Sequence, residues 1–183
     1  MLVYESGLQI VFQEASWKAI IEHCRRKLRG EYLPGEAKEK KAYGLLAGVQ
    51  IDKILDVRAC FPLLKNYRSR PPYKEIMDQL MASHAVLSET SLDKRGWVAD
   101  PAEWTAVMEE CRRRQLMPFG AYHMHRVAWP HDRSRDTPTE LDTILGAKSR
   151  QFMFIVSMVD PETPVIRAFF EGDLGKEAPV LRK

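Results

Sequence analysis

Short apolar stretches with the alternation of β-strands are interleaved with longer stretches of helical spacing, and this interleaving limits the fold more than any other feature of the chain. In the stretch 15–28, for example, Trp17, Ile20 and Cys24 recur on one helical face. Such interleaving is typical of an α/β or α+β protein, in which helices cover a β-sheet. The predicted strands are 8–12, 42–50, 51–63, 119–125, 152–159 and 165–170, and the predicted helices are 15–28, 73–87, 101–115 and 139–148.

Two of the predicted helices carry clear start signals. Asp100 followed by Pro101 indicates an N-cap and a first helical position, with Glu103 placed to complete a capping box. Thr139 is a predicted N-cap for the helix that follows it.

Length and composition bound the class of protein. The 183 residues, 45% hydrophobic and 29% charged, indicate a single globular domain, 1–183. A net charge of +3 is too balanced to favour nucleic-acid binding, and the basic runs 25–27 and 112–114 are expected on solvated helix faces. The three cysteines match no metal-binding spacing and fit free thiols in a reducing compartment. Because we find neither a secretion signal nor an apolar run of membrane-spanning length, we expect a cytoplasmic protein that does not bind membranes.

The segment 67–94 interrupts the strand and helix pattern. The pair Pro71 and Pro72 breaks the chain, and a helical stripe over 73–87 carries Met77 and Met81. We therefore expect a helical insertion within the domain. Its stripe is expected to pack on the domain itself, while its methionines leave open a surface for a partner or for a homodimer.

His123 and His125 are separated by one residue in a predicted strand. Side chains alternate along a strand, so both imidazoles are expected to point to the same side. Imidazole nitrogens together with a carboxylate oxygen are the ligand set of a catalytic zinc site, in which a fourth position stays open. For an isolated pair of this kind, two surface histidines are the commoner interpretation. The segments around the pair favour the metal site.

Six segments in a fixed order resemble those of the JAMM/MPN (JAB-domain) zinc metalloproteases, most closely the small prokaryotic type. The resemblance covers about residues 8–172. It implies a mixed β-sheet flanked by helices, with the layering of cytidine deaminases. The segments are 43–48 (Tyr-Gly-Leu-Leu-Ala-Gly), Asn66, 100–103 (Asp-Pro-Ala-Glu), 120–125 (Gly-Ala-Tyr-His-Met-His), 138–142 (Pro-Thr-Glu-Leu-Asp) and 154–157 (Phe-Ile-Val-Ser).

The resemblance also implies a ligand set for Zn²⁺, namely His123, His125 and Asp142. Thr139 stands where the family has a serine; it either caps the helix or donates a hydrogen bond to a developing oxyanion. Asp142 follows His125 by seventeen positions, which is longer than the usual family spacing. Asp136 is therefore a rival third ligand, although the local context of Asp142 matches better. His131, in the same loop, is expected to be an exposed histidine.

The catalytic base is where the chain departs most from the family. Lys41 occupies the position of the family's glutamate, and a protonated lysine cannot accept a proton. Glu39 would share a strand face with position 41 and is the predicted base, with Glu36 a less favoured substitute. A solvated charged loop over 36–41 explains the same residues equally well. Arg126 replaces the proline that usually follows the second histidine.

Two functions follow from this pattern. The first is a zinc-dependent peptidase or isopeptidase that cleaves after the C-terminal glycine of a ubiquitin-like or sulfur-carrier protein, with Glu39 as base and Thr139 at the oxyanion. The second is a non-catalytic MPN-like binding module with a degenerate metal site. A nucleobase deaminase is disfavoured, because its His-x-Glu and Cys-x-x-Cys motifs are absent from the sequence.

Overall fold

A computed structural model describes residues 2–86, 90–127 and 136–183. Within these ranges the chain forms eight strands, four α-helices and two short 3₁₀ turns, the latter at Leu92–Lys94 and Leu174–Lys176. The strands are β1 (Gln9–Phe12), β2 (Tyr43–Ile51), β3 (Ile54–Pro62), β4 (Met117–His125), β5 (Phe152–Ser157), β6 (Val165–Phe170), β7 (Glu177–Ala178) and β8 (Val180–Arg182), and the helices are α1 (Glu14–Arg29), α2 (Tyr73–His84), α3 (Pro101–Arg113) and α4 (Glu140–Gly146).

The eight strands form one mixed sheet in the order β7-β6-β5-β4-β2-β3-β1-β8. β4 lies near its centre, antiparallel to β2 and parallel to β5. β1 runs parallel to both of its neighbours, β3 and β8, and the remaining pairs are antiparallel. The predicted fold class, a mixed sheet flanked by helices, is confirmed.

The last strands of the described chain connect the two outer sides of the sheet. β7 pairs with β6, and β8 pairs with β1. Only Pro179 separates them, and its carbonyl oxygen accepts a hydrogen bond of 2.9 Å from Ile10 N–H. β8 also contacts β6. One six-residue segment therefore covers both outer strands, an arrangement that hides the unpaired backbone groups of a sheet edge.

Helix α1 packs its apolar face, which includes Ile20 and Cys24, into the main core. Its N-cap is Gln13, so the helix begins slightly earlier than predicted. Lys27, expected on a solvated face, is instead fully buried, and its ammonium group donates to the carbonyl of Ala37 at 2.7 Å. The second basic run, 112–114, is exposed as expected.

Helix α3 begins as its sequence predicts. Asp100 caps it by accepting from Ala102 N–H at 2.9 Å, with Pro101 in the first position. Glu103 does not complete the capping box. Its carboxylate accepts hydrogen bonds from the backbone N–H groups of Leu64 and Lys65, and so fixes the chain that leaves β3.

The segment between β3 and α3 is organised around Arg68, which is 2% exposed. Its guanidinium donates to the carbonyls of Arg95 and Leu92 and to the carboxylate of Asp78 at 2.6 Å. Helix α2 then packs Met77 and Met81 against Leu141 of α4 in a small second core. The methionine stripe is thus buried within the chain itself. None of the described helices is long and apolar enough to span a bilayer.

Candidate metal site

The two histidines lie at the C-terminal end of β4. His123 pairs with Tyr43 of β2 and with Ile155 of β5, and His125 is the last residue of the strand. Their Nε2 atoms are 3.0 Å apart and their ring centroids 4.9 Å apart. The alternation of the strand therefore places both rings on one side of the sheet, as the sequence predicts.

Close contact between β4 and β5 requires a glycine earlier in the same strand. Gly120 has a φ of +152°, and a Cβ there would come within 1.8 Å of the carbonyl oxygen of Phe152. A larger residue would separate the strands and shift the histidines at the far end of β4.

The third side chain comes from the first turn of α4. Thr139 is the N-cap, and its N–H and hydroxyl both donate to Oδ2 of Asp142, each at 2.8 Å. Asp142 N–H bonds back to the Thr139 hydroxyl at 3.3 Å. Two roles were predicted for Thr139, and the structure shows the helix cap. The hydroxyl donates its hydrogen to Asp142 and not to an oxyanion position.

His123, His125 and Asp142 form a cluster whose three ligand atoms all lie within 4.8 Å of one another. Ligand atoms on one tetrahedral zinc ion are roughly 3.4 Å apart, so small side-chain rotations would complete such a site. His125 is buried, while His123 and Asp142 are half-buried, which leaves access from outside. Two neutral imidazoles and one carboxylate are donors that suit Zn²⁺, and the residues present therefore fit this metal.

Tyr43 pairs with His123 across β2 and β4, and Trp97 packs against Tyr43; the sequence patterns indicated a role for neither residue. Their rings stack at a centroid distance of 5.8 Å with 12° between the planes. Burial, assisted by the nearby charge of Asp142, raises the pKa of Tyr43 to about 12. A neutral phenol thus flanks the cluster. The sequence signal that could have pointed to Tyr43 is its place at the start of 43–48, one of the six segments that resemble the family.

The carboxylate of Glu39 contacts Lys41 and Asn66 and not the histidines. Oε2 is 2.6 Å from Nζ of Lys41, and the amide of Asn66 donates to both carboxylate oxygens at 3.2 Å. Lys41 also donates to the carbonyl of Gly96 at 3.2 Å. Glu39 is not part of the His-His-Asp cluster. Both Glu39 and Lys41 precede β2, so the shared strand face on which Glu39 was predicted does not exist here.

The backbone of Lys41 nevertheless lies next to β4, the strand that carries the two histidines. The carbonyl of Ala42 accepts a hydrogen bond of 3.1 Å from Met124 N–H, which extends the β2 and β4 pairing by one residue. This places Lys41, the residue before Ala42, beside the end of β4.

Glu36, the less favoured base, is enclosed elsewhere. Its carboxylate accepts from Arg26 and from Leu33 N–H, and it lies 3.3 Å from Nζ of Lys27. Burial opposes ionisation of Glu36, but the bonds from Arg26 and Leu33 and the neighbouring positive charges outweigh it and hold the pKa at about 2. This carboxylate stabilises the loop between α1 and β2.

The buried histidine His23 adjoins the same ion cluster. Its Nδ1 is 2.7 Å from the hydroxyl of Tyr122, and its Nε2 faces Glu36 at 3.6 Å. Burial, together with the positive charge of Arg26, lowers the pKa of His23 to about 4.

Asp136, the rival third ligand, does not join the three-residue cluster. Its Oδ1 lies 4.0 Å from Nδ1 of His125, on the other edge of that ring from the Nε2 that faces His123. His131 lies outside the described residues. Arg126, in place of the family's proline, is exposed.

The fold and the cluster define an α/β protein with a His-His-Asp site at one end of a central strand. No family model matches the sequence, and no curated protein matches it. Among solved structures, the chain is similar to protein DSY2949 from Desulfitobacterium hafniense, with a TM-score of 0.61 and 18% identity over 96% of this chain and 93% of that one. At this identity the likeness concerns the fold alone.

A second solved structure is a JAB1/MPN domain protein, AF2198 from Archaeoglobus fulgidus. Its TM-score is 0.43 and its identity 14%, over 95% of this chain and 99% of that one.

Proposed function

We propose that this protein binds one Zn²⁺ ion through His123, His125 and Asp142. The observation that supports this proposal is the convergence of the three side chains, from β4 and from the first turn of α4, to within 4.8 Å. Two imidazoles held on one strand and a carboxylate held by a helix cap form a site on rigid elements, and such a site loses little entropy when it binds a metal.

The activity we propose is cleavage of the amide bond after the C-terminal glycine of a ubiquitin-like or sulfur-carrier protein. Zn²⁺ would supply Lewis acidity toward the carbonyl and lower the pKa of a water molecule. The ordered motifs shared with the JAMM/MPN metalloproteases support this choice. A tail ending in glycines is slender enough to reach a half-buried site.

In this proposal the protein's own groups move the proton. Glu39 would accept a proton from the attacking water on one carboxylate oxygen and deliver it to the leaving amine. To do so it must turn from Lys41, which lies 2.6 Å away, toward the histidines. Asn66, which donates to both oxygens, would guide the carboxylate. Thr139 would act by holding Asp142 in place.

The test is metal content together with cleavage. Protein purified without chelator should contain about one zinc per chain by mass spectrometry. It should cleave ubiquitin-like and sulfur-carrier proteins that carry a reporter after the terminal glycine. Matched substrates with proline after that glycine serve as the control. Cleavage of unrelated small amides alone would contradict the substrate, and a zinc-free protein with no gain on added Zn²⁺ would contradict the site.

A second function is supported by the ion pair between Glu39 and Lys41. If that pair persists, the protein has a metal site but no available base, as expected of a non-catalytic MPN-like binding module. Such a module would bind zinc and the glycine tail without cleaving it. Calorimetric binding of an uncleaved tail by the zinc-loaded protein would favour this function over the peptidase.

A further inference from the structure

The carboxylate of Asp136, which is outside the His-His-Asp cluster, faces the ring nitrogen of His125 that points away from His123. Oδ1 of Asp136 lies 4.0 Å from Nδ1 of His125, whereas Nε2 of His125 approaches His123. The two ring nitrogens of His125 are thus directed at different groups. We propose that Asp136 is a positioning residue, which orients His125 and fixes its tautomer so that Nε2 faces the metal. This inference rests on the metal site proposed above.

The environment of Asp136 supports this role. Its Oδ1 is buried and has no hydrogen-bond partner among the described residues. A buried carboxylate oxygen without a donor is costly, so native proteins rarely keep one without a use. The separation of 4.0 Å is about 1 Å longer than a hydrogen bond, so a small rotation of either side chain would satisfy the oxygen.

Arg167 is the neighbouring cation, and it is already engaged. Its guanidinium donates two hydrogen bonds to Glu177, both at 2.8 Å. The hydrogen bonds to Glu177 are the main cause that raises the pKa of Arg167, and the charge of Asp136 adds a smaller effect in the same direction. Arg167 therefore provides positive charge near Asp136, while its guanidinium hydrogen bonds go to Glu177.

The chemistry of a ligating imidazole explains what Asp136 would contribute. A neutral ring has one proton, and a carboxylate that accepts from Nδ1–H keeps the proton on that nitrogen. The lone pair then stays on Nε2, where it is also more basic toward a metal. In metal sites with this arrangement, loss of the carboxylate typically weakens metal binding by about 10–100-fold.

The first measurement is zinc affinity, by competition with a chromophoric chelator, for Asp136→Ala and Asp136→Asn. We expect binding about 10–100-fold weaker in the alanine variant. The asparagine variant should lose less, because its amide oxygen still accepts from Nδ1–H. The matched control is Asp52→Asn in the exposed turn between β2 and β3, which should bind zinc as the unmodified protein does. Unchanged affinity in both Asp136 variants would overturn the proposal.

The second measurement is ¹⁵N NMR of the His125 ring in metal-free protein. We expect the Nδ1–H tautomer in the unmodified protein and a mixture in Asp136→Ala, with the preference restored by Asp136→Asn. An unchanged tautomer in the alanine variant would overturn the positioning role. So would loss of zinc as complete as in His123→Ala, since Asp136 would then be a ligand. If the protein binds no zinc at all, the metal site fails, and the tautomer still decides the role of Asp136.

Discussion

Thr139 and Asp142 hold each other in place. Two donors on Thr139, the N–H and the hydroxyl, share one carboxylate oxygen of Asp142, and the Asp142 N–H bonds back to the hydroxyl. The same carboxylate converges on the two histidines. The start of α4 and the shape of the candidate metal site therefore depend on one set of hydrogen bonds.

Replacing Thr139 should affect the stability of α4 and the affinity for zinc together. Thr139→Ala removes the capping hydroxyl and should lower the free energy of unfolding by about 1 kcal/mol. It should also weaken zinc binding by about tenfold, because Asp142 loses part of its support. Thr139→Ser keeps the hydroxyl and should retain both properties. Urea denaturation and chelator competition measure them; a fall in stability with unchanged zinc affinity would show that the cap and the site are independent.

The choice of the third ligand can be checked by metal stoichiometry. His123→Ala, His125→Ala and Asp142→Ala should each lose bound zinc after dialysis, since two ligands rarely retain the ion. Asp136→Ala should keep about one zinc per chain at saturating metal. If Asp142→Ala keeps full zinc while Asp136→Ala loses it, Asp136 is the ligand.

Glu39 can be tested without disturbing the metal. Glu39→Gln should reduce turnover by about 10²–10⁴-fold, the usual contribution of general acid–base catalysis, and should leave zinc bound. Glu75→Gln makes the same chemical change on the exposed side of α2 and should leave turnover unchanged. Full activity in Glu39→Gln would mean that another group is the base.

Lys41 determines whether Glu39 is available. Lys41→Met removes the ion pair while keeping most of the side-chain volume, and should raise turnover if the pair holds the carboxylate away from the histidines. Lys41→Glu places a carboxylate at the position of the family's glutamate and should raise activity, or create it in an inactive protein. Steady-state kinetics of the zinc-loaded variants measure both. Inactive zinc-loaded protein in all three forms would favour the binding module.

Acid should destabilise the protein first through His23. Its pKa falls from an ordinary value of 6.5 to about 4 on folding, because of burial and the charge of Arg26. The unfolded chain therefore takes up the proton first, and stability present above pH 6.5 declines as the pH falls toward 4. The loss is on the order of 3 kcal/mol.

Urea denaturation between pH 4 and pH 7 measures this loss. A His23→Gln variant should show a flatter dependence on pH, whatever its absolute stability. An equal slope in the two proteins would mean that another group dominates.

Helices and strands could be predicted from the sequence where their hydrophobic residues recur with a regular period. The hairpin β2–β3, predicted over 42–63, spans Tyr43 to Pro62, and α4 begins directly after its predicted cap. Strand alternation explains why the two histidine rings lie on one side of the sheet, and the helix cap explains how Asp142 is held. That Asp142 would join the histidines was implied by the family resemblance and not by a local pattern. The role of the three as ligands stays a prediction.

What the sequence could not reveal depends on partners distant along the chain. Nothing local distinguishes Lys27, which is buried, from the solvated arginines at 112–114. The burial of Arg68 likewise requires carbonyls from a segment more than twenty residues away. Strand periodicity was applied to Glu39, but residues 39–41 precede β2 and do not form a strand. The ion pair between Glu39 and Lys41 could therefore not be predicted from the sequence pattern. β7 and β8 are too short to show any periodicity.

The single segment that pairs with both β6 and β1 makes the two flanks of the sheet interdependent. Deleting residues 177–182 would not simply subtract two small strands. It would remove the end strand from each side of the sheet, with the backbone of β1 and part of β6 newly exposed at opposite ends. Since exposed strand edges pair readily with other chains, the shortened protein should be more prone to self-association than the unmodified protein.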